Sequence, residues 1–112
     1  MFLNLGRKER RIKFSFNSIC AMEEISKQSI MTLLNEQAGF NSIRLLVWAG
    51  LRHENRGLTL DMVGLWIEEY LDEGNDFGEF FESVVNALVE SGVLGNKEAE
   101  NETKKTKKKQ IS

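Results

Sequence analysis

The stretch Ile43-Arg44-Leu45-Leu46-Val47-Trp48-Ala49-Gly50-Leu51 decides the fold. On a helical wheel its apolar side chains point in nearly every direction, with Arg44 and the following Arg52 as the only polar relief. A helix that is apolar all round must be covered by neighbours on several sides. It falls well short of the roughly 18–20 residues that a bilayer crossing needs. The stretch therefore predicts a central helix around which the rest of a small domain is wrapped.

Upstream of it, Phe2-Leu3-Asn4-Leu5 and Arg11-Ile12-Lys13-Phe14-Ser15-Phe16 alternate apolar and polar residues, the period of a half-buried strand. Gly6-Arg7-Lys8-Glu9 between them reads as a turn, so residues 2–16 predict a β-hairpin with Ile12, Phe14 and Phe16 facing the body. Asn17 is placed to cap a helix over about Ser18–Lys27, with Ile19, Met22 and Ile25–Ser26 near the core. A short helix from Ser29 offers Ile30, Leu33 and Leu34 and ends at Gly39, and Ser42 is then placed to cap the central helix. Beyond the polar loop His53-Glu54-Asn55-Arg56-Gly57, Thr59 caps a helix from Leu60 to about Glu73, with Asp61 favourably near the positive end of its dipole. Gly74 closes that helix. Asp76 and Glu79 form an Asp-x-x-Glu capping pair for a last helix, Phe77 to Ser91, which Gly92 stops. The fold class is α+β, mostly α: an N-terminal hairpin and then a compact bundle of about four to five helices around a central apolar helix. Residues 1–94 form one domain, and the lysine-rich tail 95–112 lacks the hydrophobes for a core and is expected to be disordered.

A chain of 112 residues with 41% apolar content can bury a core without staples. Its net charge of −2 is unevenly shared: +4 over residues 1–13, +3 from Gly95 onward and −9 between. From Glu68 to Glu90 there are eight acids and no base. An acidic body with basic ends repels phosphate, so nucleic acid is not an expected partner, although the Lys104–Lys109 cluster could touch it non-specifically. The start Met1-Phe2-Leu3-Asn4-Leu5-Gly6 lacks the layout of a signal peptide, which points to a cytoplasm.

Catalytic chemistry finds no foothold. Cys20 and His53 are the sole cysteine and histidine, so no zinc site of the usual kind can be assembled within one chain. Asp72-Glu73-Gly74-Asn75-Asp76 lacks the alternation of a calcium loop. Cys20, on an apolar helix face, reads as a small buried hydrophobe, and His53 as a solvated loop residue. Glu68, Glu69, Asp72 and Glu73 read as a solvated face rather than a glycosidase pair, and no phosphate-cradling glycine motif is present. No enzyme, cofactor or metal is expected. The informative surface is the helix from Leu60. Leu60, Val63, Ile67, Tyr70 and Leu71 make one packing stripe, but Met62 and Trp66 widen it to about half the circumference, beyond the ~100° of one packing face. Leu65 lies further out, between acids. Met62, Leu65 and Trp66 are therefore candidates for a client-binding or self-association surface, the plainer alternative being that Met62 and Trp66 are core against the hairpin or first helix.

The ordered set Ile12-Lys13-Phe14-Ser15-Phe16, Asn17-Ser18-Ile19-Cys20-Ala21-Met22-Glu23-Glu24, Ser42–Leu51 and Leu58-Thr59-Leu60-Asp61-Met62-Val63-Gly64 resembles the tail assembly chaperones of long-tailed bacteriophages and the related gene-transfer-agent tail proteins, over roughly residues 2–94. The resemblance implies a small, mostly helical, non-enzymatic protein of the bacterial host cytoplasm. Such a protein binds the tape-measure protein, recruits the tail-tube protein and is absent from the mature virion. It also implies a longer product made by ribosomal slippage, for which Lys107-Lys108-Lys109 marks a candidate tract. No catalytic residues carry over. The alternatives are an acidic helical adaptor or regulator, a DNA mimic among them, and a non-specific nucleic-acid binder acting through the basic tail.

Overall fold

The computed structural model describes residues 1–35 and 39–95; the charged tail beyond Gly95, with its lysine tract, lies outside the described residues. A two-stranded antiparallel hairpin, β1 (Phe2–Leu5) and β2 (Lys8–Arg11), precedes five helices: α1 (Phe16–Ser26), α2 (Ile30–Asn35), α3 (Phe40–Leu51), α4 (Leu60–Asp72) and α5 (Phe77–Glu90). The α+β, mostly helical reading of the sequence is the observed fold.

The hairpin is tighter than the alternation suggests. Gly6 and Arg7 both take positive φ, 61° and 63°, as a primed two-residue turn requires. That turn sets Leu5 opposite Lys8 and Phe2 opposite Arg11, so β2 begins three residues earlier than expected and ends where β1 runs out of partners. The apolar stretch assigned to the second strand instead leaves the sheet. Ile12 N–H still donates to the Met1 carbonyl at 2.8 Å, but Lys13 N–H donates to the Gly50 carbonyl at 2.9 Å, docking the connector on α3. Ile12 and Phe14 are buried as expected. Phe16 is not: it opens α1 and is 75% exposed.

The cap of α1 is Ser15 rather than Asn17. Ser15 Oγ accepts from Ser18 N–H at 3.1 Å, and Ser18 Oγ accepts from Ser15 N–H at 2.9 Å, a capping box closed by two serines. This reciprocity satisfies Ser18, the buried polar residue of the core. Ile19 and Met22 face inward, while Ile25 is exposed because Ser26, one turn after Met22, holds the inward position. Cys20 is exposed, which corrects its reading as a buried hydrophobe. Ile30 and Leu33 anchor α2; the side chain of Leu34 lies outside the described residues.

α3 starts at Phe40 with Gly39 as N-cap, a turn before the expected Ser42, because the apolar period that marks it in the sequence begins only at Ile43. Ile43, Leu45, Leu46, Val47, Ala49, Gly50 and Leu51 are all buried. The helix packs against α1, α4, α5 and β2, which together enclose it from Ile43 to Leu51 apart from half-buried Arg44 and Trp48, while Phe40 at its start stays exposed. Gly50 permits the closest approach: a Cβ there would stand 2.6 Å from Ile12 Cγ2 and 3.2 Å from Phe14 Cζ. Trp48 is half-buried, and its Nε1 donates to the Leu58 carbonyl at 2.9 Å, tying the loop between α3 and α4 to the central helix. Thr59 Oγ1 accepts from Met62 N–H at 3.1 Å and Asp76 Oδ2 from Glu79 N–H at 2.9 Å, so both expected N-caps form, although the return bond from the Asp76 N–H to the Glu79 side chain that would complete a capping box does not. Along α5, Phe80, Val84 and Leu88 are buried. No helix among the described residues is long and apolar enough to cross a membrane.

Candidate partner-binding surface

α4 presents three different surfaces, and its order of residues explains each. At 100° per residue, Val63, Ile67 and Tyr70 share an inward arc; Val63 and Ile67 are buried, and Tyr70 rests on Phe80 with ring centroids 5.1 Å apart. To one side of that arc lie Met62, Leu65 and Trp66; to the other lie Gly64, Glu68 and Leu71.

The candidates Met62, Leu65 and Trp66 do share a face, but they are not equivalent. Trp66 is half-buried against the hairpin. The turn at Gly6 comes so close that a Cβ there would be 2.7 Å from Trp66 Nε1. The Arg10 guanidinium sits 3.9 Å from the indole centroid, a cation–π contact. Arg10 is itself fixed by donating from Nε to the Leu5 carbonyl at 2.6 Å and from Nη1 to Asn55 Oδ1 at 2.8 Å. Trp66 thus serves the packing of α4 on the hairpin. Met62 and Leu65 lie outside it, 40% and 60% exposed, interleaved with Asp61, Glu69 and Asp72.

On the opposite flank, Phe40, Ile43, Gly64, Ile67, Leu71 and Phe77 line a groove of about 350 Å³, which Arg44 and Glu68 also border. Phe40 is 75% exposed and meets Phe77 edge-on, centroids 4.9 Å apart, and Phe77 stacks on Phe81 at 6.4 Å. These aromatics form a ladder from the start of α3 to α5 whose outer rung has no cover among the described residues. Arg44 is positioned by donating to Asn41 Oδ1 at 2.9 Å and by Asp61 at 3.9 Å, while its Nε is buried without a hydrogen-bond partner.

This groove escaped the sequence reading, because Phe40 lies ahead of the apolar period of α3. Two signals for it were present in the chain: an aromatic at the very start of a helix, and Gly64, a residue costing about 1 kcal/mol in a helix interior and so calling for a local reason. At Gly64 a Cβ would stand 3.5 Å from Arg44 Cδ, which is ordinary contact, so the glycine keeps the groove open rather than relieving a clash. Among the described residues, no group of three or more His, Cys, Asp or Glu is arranged to hold a metal ion. No protein-family model, no curated protein and no solved structure matches the chain.

Proposed function

We propose that this protein works by contact, as a phage or prophage tail assembly chaperone that binds the tape-measure protein and supports tail-tube assembly in the host cytoplasm, leaving before the virion is finished. The observation that carries the reading is the groove of Phe40, Ile43, Leu71 and Phe77, an apolar channel left open beside an otherwise enclosed core. A tape-measure protein exposes long amphipathic helices before assembly, and a helix-in-groove mode needs such a channel. Exposed Met62 and Leu65 add apolar area around α4, and the methionine adapts to varied side chains. The acids Glu68, Glu69 and Asp72 that frame both areas favour client helices with basic flanks. The resemblance of the ordered sequence motifs supplies the choice of client.

The test is co-expression with the long helical reading frame encoded beside this gene. The expected result is that the long protein becomes soluble and co-purifies, and that Phe40→Ser reduces the yield of complex while leaving the chaperone folded. A long neighbour that is equally soluble alone and never co-purifies overturns the reading.

A further inference from the structure

A basic cleft interrupts the acidic body. Lys13, Arg52, His53 and Arg56 line a cavity of about 530 Å³ at the junction of the hairpin connector, the amino end of α1 and the loop between α3 and α4. No carboxylate is among its lining residues. Lys13, Arg52 and Arg56 are exposed, and no ion pair engages them among the described residues; Glu54 turns to His53 instead, 4.0 Å from its Nδ1. The walls of the cleft are fixed. The Trp48 indole, which lines it, is held by its bond to Leu58, with the Arg52 guanidinium 5.2 Å from its ring centroid. Asn55 donates to the Leu51 carbonyl at 2.7 Å, and His53 Nε2 lies 3.0 Å from the Arg11 carbonyl.

A smaller cavity, of about 270 Å³, meets this cleft at Lys13. Its lining joins Met1 and the connector residues Ile12, Lys13 and Phe14 to Ala87, Glu90 and Ser91 at the carboxyl end of α5. Gly95 N–H donates to the Gly92 carbonyl at 3.0 Å, a turn that holds the chain beside that end of the helix. The chain therefore leaves α5 on the side of the molecule that carries Lys13. The acids that follow are Glu98, Glu100 and Glu102, with Ala99 and Asn101 between them. At alternate positions, all three fall on one side of an extended chain and span about 13 Å. Glu98 stands three residues beyond Gly95, within about 11 Å of chain. A long polyanion is a poor rival for the cleft, because residues 14–94 carry a net charge of −9 and would repel its flanks. Exposed ion pairs are individually weak, so a free acidic peptide is also a poor rival. A tether of a few residues raises the effective concentration to the order of mM and favours the chain's own acids.

We infer that Glu98, Glu100 and Glu102 dock in the cleft of Lys13, Arg52 and Arg56 of the same molecule, laying the segment after α5 across the hairpin connector. The segment is an internal plug that keeps other anions out of the cleft. It also fixes where the lysines of 104–109 emerge, at the loop between α3 and α4 rather than along the acidic faces of α4 and α5. The contact uses none of the residues of the aromatic groove, nor Met62 and Leu65, so it is independent of the proposed client site.

Nuclear magnetic resonance on the full-length chain tests this, with a nitroxide attached at Thr103→Cys after Cys20→Ser removes the native thiol. In low salt, the ¹⁵N-labelled chain should lose most of its signal at the Trp48 indole N–H and at the backbone N–H of Lys13, Arg52 and Arg56. Rising salt should restore these signals, because the pairing is between exposed charges. E98Q/E100Q/E102Q should restore them at low salt, and so should R52E/R56E, which keeps the wild-type circular dichroism spectrum because both positions are exposed. A ¹⁵N-labelled chain without nitroxide, mixed with an unlabelled chain that carries it, should show no loss. Signals at the cleft that are unaffected by the nitroxide overturn the inference. So does a loss that persists in E98Q/E100Q/E102Q or in R52E/R56E, and so does an equal loss in the mixture, which would place the acids in another molecule.

Discussion

α3 and α4 are adjacent helices of 12 and 13 residues, both rich in large apolar side chains, yet they are buried in different ways. α3 has apolar residues in every direction and four elements to receive them, and Val47 at its centre is wholly inaccessible. α4 spends one arc on the core, a flank on the hairpin through Trp66, and leaves Leu65, Met62 and the groove beside Gly64 uncovered. The apolar content of a helix sets how much area must be covered. Only the number of neighbours decides whether the domain covers it unaided. α3 is where this protein keeps its stability, and α4 is where it has area to offer a partner.

The largest effect that could break this contrast comes from removing the same side chain in each helix. Leu46→Ala, in the enclosed helix, is expected to cost about 2–5 kcal/mol of unfolding free energy. Leu65→Ala, on the open face, should stay within about 0.5 kcal/mol of wild type. Urea denaturation followed by tryptophan fluorescence reads both. Equal losses would mean that α4 is as enclosed as α3, and the proposed docking surface would lose its basis.

A glycine inside each helix sharpens the comparison with a smaller effect. Gly50→Ala places a methyl group 2.6 Å from Ile12 Cγ2, and Ile12 and Phe14 are both buried and have nowhere to go. Overpacking of this kind costs about 1–3 kcal/mol, more than the ~1 kcal/mol that alanine returns in helix propensity. A net loss of about 1 kcal/mol is expected in the same denaturation assay, with the loss growing for Gly50→Val.

How far the sequence reveals these differences depends on whether the governing force leaves a period in the chain. The enclosure of α3, the α4 stripe and the caps at Thr59 and Asp76 were legible, because burial and capping each fix residue types at set spacings. The strand boundary was not. Ile12 and Phe14 alternate like a strand, but what holds them is the Lys13 bond to Gly50, a tertiary contact with no local signature. The serine box at Ser15 and Ser18 hid because its third position lacks the usual Glu or Gln, which shifted the expected helix start to Asn17 and put Phe16 on the wrong side. Of the surface, Met62, Leu65 and Trp66 stood out by their excess over one packing face, but the distinction between Trp66 and the other two depends on where the Gly6 turn lands. Phe40 and the groove were invisible to periodicity, being assembled from three helices.

The smallest effect is the one with the opposite sign. Gly64→Ala puts a methyl group 3.5 Å from Arg44 Cδ, a distance at which neighbours touch without strain. Alanine in a helix interior then gains about 0.5–1 kcal/mol, partly by limiting the freedom of the unfolded chain. Chemical denaturation should therefore show a variant more stable than wild type, where the same change at Gly50 weakens the fold. The methyl group also narrows the groove that Gly64 helps to line, and Gly64→Leu would go further toward filling it. Stability and client capture should accordingly move in opposite directions at this position, as expected when a residue is set by binding rather than by folding. Capture that rises with stability in Gly64→Ala would place the client elsewhere on the molecule and leave Met62 and Leu65 as the apolar surface to test next.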